Sequence, residues 1–202
     1  MNIVLIGLPG SGKGTLGQRL AKTLGAEHIS SGDLLRAEVR QGTLIGRKVS
    51  ETLAQGGRVE DALITKMVLA KLSSLQGKPF ILDGFPQTEA QMQALKEWGS
   101  LRFIVLNVEM ETALARMCSR ISCATCNAIF SSASLQGSCQ ECGGALEKRA
   151  SDSAEKAAKR LAEYTLPPIP EEALQIDGNK AKDQIYQESL EWLGPTQHAA
   201  AL

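Results

Sequence analysis

Residues Gly7-Leu8-Pro9-Gly10-Ser11-Gly12-Lys13-Gly14-Thr15 limit what this chain can fold into more than any other stretch. Residues 2–6 ahead of them are too few for a helix and rich in β-branched side chains, which predicts a buried strand. Behind them Leu16, Leu20, Ala21 and Leu24 recur at helical spacing, so a helix opens inside the glycine run. Strand, glycine-rich loop and helix in that order are what a phosphate-binding loop requires. Glycines let consecutive backbone N–H groups turn onto one anion. The helix N-terminus adds unpaired donors and partial positive charge, and Lys13 can reach the outer phosphates. An ordinary glycine turn before a helix is the bland alternative, and the full string in this context outweighs it.

Size and charge narrow the rest. A chain of 202 residues can bury one good core and carry a small inserted domain. Acidic and basic residues balance at 22 each, which argues against a broad nucleic-acid-binding surface. No apolar run approaches membrane-spanning length, and the start lacks a charged n-region and cleavage site, so a cytoplasmic protein is expected. Five cysteines in that setting suggest metal or a stray thiol more than disulfides.

Along the chain, 27–29 predicts a second strand, with Ser31 or Asp33 available to cap the next helix. Residues 43–55, 56–60 and 61–75 predict helix, turn and helix, the last with Leu63, Met67, Ala70 and Lys71 at helical spacing. Phe80-Ile81-Leu82-Asp83 predicts a buried parallel strand whose C-terminal carboxylate lies where open α/β sheets bind ligands. Residues 102–108 predict a strand and 111–120 a helix, which would put Arg116 and Arg120 on one helix face. Cys123-x-x-Cys126 and Cys139-x-x-Cys142 make two knuckles, the pattern of a closed four-thiolate zinc site that would hold together a segment too small for its own core. Cys118 lies outside both and predicts a packed free thiol. Ser151-Asp152-Ser153 would cap a helix reaching residue 164, with Ala157, Ala158 and Leu161 on its apolar side. Prolines then end it, a strand follows at 174–177, and a helix at 181–193. Residues 195–202 have no pattern and predict a fraying tail.

The loop string departs from the general phosphate-binding pattern, which places Ser or Thr directly after the lysine. Here Gly14 stands there and the hydroxyl comes at Thr15. In this form it resembles the nucleoside monophosphate kinases, adenylate kinase above all. Ser30-Ser31-Gly32-Asp33-Leu34-Leu35-Arg36, Asp83-Gly84-Phe85-Pro86 with its continuation to Gln91, and Arg149 with Arg160 eleven residues later extend the resemblance over residues 2–193.

The resemblance implies an α/β fold of the P-loop NTPase type, a central parallel sheet flanked by helices. It divides the chain into core (1–29, 61–120, 151–193), AMP-binding insert (30–60), zinc-binding lid (121–150) and flexible tail (194–202). It also implies reversible phosphoryl transfer from Mg·ATP to AMP giving two ADP, in a cytoplasmic monomer without nucleic-acid or membrane partners. ATP would be held by Gly10, Ser11, Gly12, Lys13, Gly14, Thr15, Arg116, Arg120 and Gly178. AMP would meet Ser31, Arg36, Gly57, Val59, Gly84, Gln87, Gln91, Arg149 and Arg160. Asp33 and Asp83 would order magnesium waters, and Cys123, Cys126, Cys139 and Cys142 would bind structural zinc. The catalytic set is Lys13, Arg36, Asp83, Arg116, Arg120, Arg149 and Arg160. Three features depart from the family: Gln87 replaces its arginine, Ser151 replaces an aspartate, and the C-terminal region is shortened. A different acceptor monophosphate, or a weakly active nucleotide-binding sensor, are the alternatives.

Overall fold

The computed structural model describes residues 1–55, 57–132 and 137–194. Its centre is a parallel sheet in which β1 (Asn2–Gly7) lies between β3 (Phe80–Asp83) and β4 (Leu101–Asn107). β2 (Glu27–Ser30) flanks β3, and a strand we label β8 (Leu174–Asp177) flanks β4, closing the order β2-β3-β1-β4-β8. Between β4 and β8 in sequence come β5 (Arg120–Cys123), β6 (Ile129–Ser131) and β7 (Leu146–Glu147), a separate antiparallel sheet of order β6-β5-β7.

Strand alternation builds a core on each face of the parallel sheet. Val4, Ile6, Leu82, Phe103 and Val105 point to one face, where they meet Leu35 of α2 (Ser31–Gln41), Val49 of α3 (Leu44–Ala54) and Val68 and Leu72 of α4 (Asp61–Ser74). Ile3, Leu5, Ile81, Ile104 and Leu106 point to the other, against Leu16, Leu20 and Leu24 of α1 (Lys13–Leu24). Ile185 and Leu193 join that second face from the last helix, α8 (Lys182–Leu193). Between them in sequence lie α5 (Glu89–Ala94), α6 (Met110–Cys118) and α7 (Ala154–Ala162). Ala113 and Met117 of α6 pack on Ala157 and Leu161 of α7 in a third, small cluster that also takes in Leu8 and Cys118. This cluster ties the base of the small sheet to the glycine loop.

The expected α/β architecture is the one observed. Several local expectations are corrected. Helix α6 stops at Cys118 because Ser119 closes its last turn onto Ala115, and Arg120 opens β5, where it pairs with Ser131. Arg116 and Arg120 therefore do not share a helix face. The second helix is capped by Ser30, which accepts from the Asp33 N–H, and not by Ser31 or Asp33. On α4 the fully buried line is Ile64, Val68 and Leu72, with Leu63 and Met67 only flanking it. Lys71 of that helix turns outward to Glu27 at 2.9 Å. Ala158 is exposed, since only Ala157 and Leu161 of α7 reach the neighbouring helix. Ser153 occupies the α7 N-cap position without a side-chain bond, and the neighbouring carboxylate, Asp152, is taken by Arg120. The expected tail at 195–202, Gly56 and residues 133–136 lie outside the described residues.

Candidate active site

All the parallel strands end on the same side, and the C-terminal ends of β1, β2, β3 and β8, with the residues that follow them, bring Lys13, Ser31, Asp83 and Gly178 to one cavity. That is where ligands bind in open α/β sheets. The cavity encloses about 770 Å³ and reaches from the glycine loop to the second helix and its neighbours. Gly10, Ser11, Gly12, Lys13, Gly14 and Thr15 form its floor. Glycine is required at position 10: φ is +87°, and a Cβ there would lie 2.4 Å from the Ala113 carbonyl oxygen.

Lys13 is the pivot of the floor. Its Nζ donates to the carbonyls of Gly7 and Leu8, each at 2.8 Å, and approaches Ser11 Oγ at 3.4 Å. Burial pulls its ammonium down to about 8, with Asp83 working in the opposite direction.

Arginines converge on this floor from five other segments. Arg36 comes from α2, Arg116 from α6, Arg120 from β5, Arg149 from the strand exit after β7, and Arg160 from α7. Arg36 pairs with Asp33, whose Oδ1 also lies 3.8 Å from Arg149 Nη2. Arg120 grips the fully buried Asp152 through Nε at 2.8 Å and Nη2 at 2.9 Å, leaving Nη1 clear of that carboxylate. Arg116 donates to the Gly178 carbonyl at 2.9 Å, while the Gly178 N–H donates to Asn107 at 2.7 Å. Burial together with neighbouring cations lowers Arg149 to about 9 and Arg160 to about 10. The Nε atoms of Arg36 and Arg149 are buried without a partner. Such a cluster is electrostatically incomplete, and an anion completes it.

On the opposite wall, Ser31 Oγ donates to the Gly84 carbonyl at 2.7 Å, and Gln87 Nε2 donates to the same oxygen at 2.8 Å. Gly57, Arg58 and Val59 line the wall beside Leu35, Leu53 and Ile64, an apolar recess. Gln91 does not line the cavity. It is 1 % exposed, and its amide oxygen accepts from the Gln87 N–H at 2.7 Å, which fixes the turn. Asp33 is drawn into the arginine pairs, whereas Asp83 stays clear of them at the cavity floor.

The structure adds residues that sequence reading missed. Tyr164 lines the cavity one helical turn after Arg160, and burial followed by the nearby Asp83 raises its phenol to about 12. The Arg160 to Tyr164 spacing was the available signal. Arg58 also lines it, and nothing in the local pattern marks it. His28 lines it as well, from a strand position that reads as ordinary core.

Over the cavity sits the small sheet. Its four knuckle sulfurs lie within 4.8 Å of one another, with Cys123–Cys142 at 3.5 Å and Cys126–Cys139 at 3.6 Å. Tetrahedral thiolates at zinc lie about 3.8 Å apart, given Zn–S bonds near 2.3 Å, so the set fits such an ion. The Cys126 and Thr125 N–H groups aimed at Cys123 hold its thiol down to about 6, while burial pushes Cys126 up to about 12. Cys118 remains a half-buried free thiol in the α6–α7 cluster.

The family model for adenylate kinase matches residues 5–170. This chain belongs to the adenylate kinase family. Curated adenylate kinases align over most of their own lengths. The enzyme of Caldicellulosiruptor bescii is 39% identical over 193 residues, covering 90% of this chain and 88% of that one. The enzyme of Syntrophomonas wolfei is 35% identical over 215 aligned residues, covering 96% and 100%. The enzyme of a Geobacillus strain is 37% identical over 172, covering 80% of each. The family match spans the glycine loop, the five arginines and the knuckles, so adenylate kinase membership does not rest on the loop alone.

The burial of Lys13 has a measurable sign. The folded state holds this proton less tightly than the unfolded chain does. The burial cost is therefore fully present below pH 8 and is relieved as pH rises from 8 towards 10.5. Lys13→Met should melt at or above the parent temperature at pH 7 and lose that advantage through this window. Melting curves of both proteins from pH 7 to 10.5 check it, and a deficit independent of pH would contradict the assignment.

Proposed function

We infer that this chain transfers a phosphoryl group reversibly between ATP and AMP, giving two ADP. The observation that carries the reading is the convergence of Lys13, Arg36, Arg116, Arg120, Arg149 and Arg160 on one cavity, between a phosphate-loop floor and an apolar recess. Phosphoryl transfer asks for this: catalysis is almost entirely positioning and charge stabilisation, because the attacking phosphate is already an anion. No general base is needed.

In this reading Lys13 and the loop N–H groups of Gly10, Ser11, Gly12, Gly14 and Thr15 hold the donor phosphates, with Gly178 beside its base. Arg36 holds the acceptor phosphate. Arg116, Arg120, Arg149 and Arg160 neutralise the group in flight, Arg120 through the Nη1 that Asp152 leaves unused. The acceptor base enters the recess at Gly57, Val59 and Ser31, beside Gly84 and Gln87. Gln91 acts on that base only by shaping the Gln87 turn. Magnesium would arrive with ATP and neutralise its outer phosphates. Asp83 suits holding its waters, being a carboxylate at the floor outside the arginine pairs, and Asp33 would serve as a second holder after exchanging its arginines. We assign 30–60 as the acceptor insert and 121–150 as the lid, the remainder to residue 193 being core. We further propose a monomer working in the cytoplasm, a compartment in which cysteines free of disulfides are ordinary.

A coupled assay with Mg·ATP and AMP, CMP, UMP or GMP tests the reading. AMP should be the preferred acceptor, and Lys13→Met should abolish most transfer. Tight binding of both nucleotides without turnover would identify a sensor instead.

Zinc is the metal the lid chemistry favours. Purified protein should carry about one zinc per chain. Cys139→Ser should lose the metal and lower the melting temperature. Metal-free protein whose stability chelators leave unchanged would remove zinc from the account.

Gln87 stands where the family pattern has an arginine. Three cations of the 30–60 insert could supply the missing charge: Arg40 lines the cavity, whereas Arg47 does not and Lys48 Nζ is turned to Glu60 at 3.5 Å. A charge-assisted bond is worth roughly 1.5–3 kcal/mol. Gln87→Arg should thus raise kcat/KM for AMP by about a decade or more, with the gain shrinking in added salt. An unchanged or lower value would mean that the site has been rebuilt around glutamine.

A further inference from the structure

Gly14 stands where phosphate-binding loops in general carry a hydroxyl. A Cβ on Gly14 would lie 3.1 Å from Ile129 Cδ1 and 3.3 Å from Asp83 Oδ2, so the methyl end of Ile129 rests on the bare backbone of the loop. Gln18 follows one turn later on the same face of α1. Its Nε2 donates to the Asn127 carbonyl at 3.2 Å. Asn127 holds φ at +58°, a left-handed conformation that asparagine adopts more readily than most residues. Its own N–H donates to the Cys123 carbonyl at 3.1 Å. The carbonyl offered to Gln18 is therefore fixed by the turn that carries it.

The β5–β6 hairpin thus meets one face of α1 at an apolar point and a polar one. Both contacts join protein atoms only, so they need no phosphate to form. The hairpin register, with Ser122 opposite Ile129 and Arg120 opposite Ser131, carries this seating to Arg120 on the cavity wall. We propose that Gln18 and Ile129 latch the lid onto the glycine loop, so that nucleotide enters and leaves the donor side only when the latch opens. Gln18 is then a positioning residue, acting on the nucleotide through the lid. The idea rests on the phosphotransfer reading, which puts ATP at that loop. It also accounts for Gly14, because a serine or threonine there would have to push Ile129 off its seat.

Methyl NMR of the nucleotide-free protein, with its isoleucine δ1 groups labelled, reads the latch directly. The Ile129 methyl should show a cross-peak to the Gly14 Hα, and relaxation dispersion should report a minor open state. Gln18→Ala should raise the open-to-closed ratio roughly fivefold, as the loss of one ordinary hydrogen bond implies. Gln18→Glu keeps the size and removes the N–H donors, so it should raise the ratio at least as much. Both variants should melt near the parent temperature, because Gln18 lies outside the core clusters. Stopped-flow binding of a fluorescent ATP analogue gives a readout that a merely structural role would not move. A latch acts on entry and exit alike, so association and dissociation should quicken by a similar factor and leave Kd nearly unchanged. Loss of a direct nucleotide contact would raise dissociation alone. A missing Ile129–Gly14 cross-peak, a parent-like open population in either variant, or faster dissociation without faster association would each overturn the proposal. A parent protein that binds no ATP would overturn the phosphotransfer reading, while the methyl measurements would still judge the latch.

Discussion

Like charges held together inside a protein are the constraint on which this molecule turns. Lys13 and five arginines face one cavity, and the carboxylates placed among them are Asp33, Asp83 and Asp152. The positive charge exceeds its internal compensation, and burial makes the excess costly, as the lowered Lys13, Arg149 and Arg160 register. The fold tolerates that cost because the cations come from six separate segments, most of them anchored in the hydrophobic contacts of their elements. No single element bears the whole repulsion.

Those anchors explain the architecture. A parallel sheet buried on both faces supplies a rigid platform, and its strand ends set the floor. The α6–α7 cluster then links the floor to the lid base, so Arg116, Arg120 and Arg160 are positioned by one small apolar contact. The lid, a three-stranded sheet with short strands, has too few apolar side chains to order itself. Four thiolates around one ion would perform the task that a core performs elsewhere. Lid and floor also touch directly, where Gln18 Nε2 donates to the Asn127 carbonyl at 3.2 Å.

Much of this was legible in the sequence, for identifiable reasons. The glycine loop, the short apolar strands and the cysteine knuckles are local patterns with one physical reading each, and they stand where expected. What escaped depended on contacts between distant segments. Spacing alone put Arg120 on a helix, whereas pairing with Ser131 turns it into the first residue of a strand. Gln91 offered an amide to a base by analogy, but the Gln87 N–H claims its oxygen. Asp152 read as a cap, yet a bidentate arginine from 32 positions away outcompetes a backbone N–H for it. The buried line of α4 was misread by one position, since leucine, methionine and alanine occur all round that helix. His28 and Arg58 carry no local signature, and their relevance comes only from the cavity they share.

If the cation cluster is completed by polyphosphate, ligand charge should convert directly into stability. The decisive measurement is the melting temperature of the metal-replete parent with ATP and AMP together, and with a dinucleotide in which five phosphates join two adenosines, at increasing salt. The account predicts a large upward shift, greater for the joined ligand than for either nucleotide alone, falling steadily as salt screens the arginines, and strongly reduced in Lys13→Met. A shift that is absent, or one that neither salt nor Lys13→Met diminishes, would contradict it.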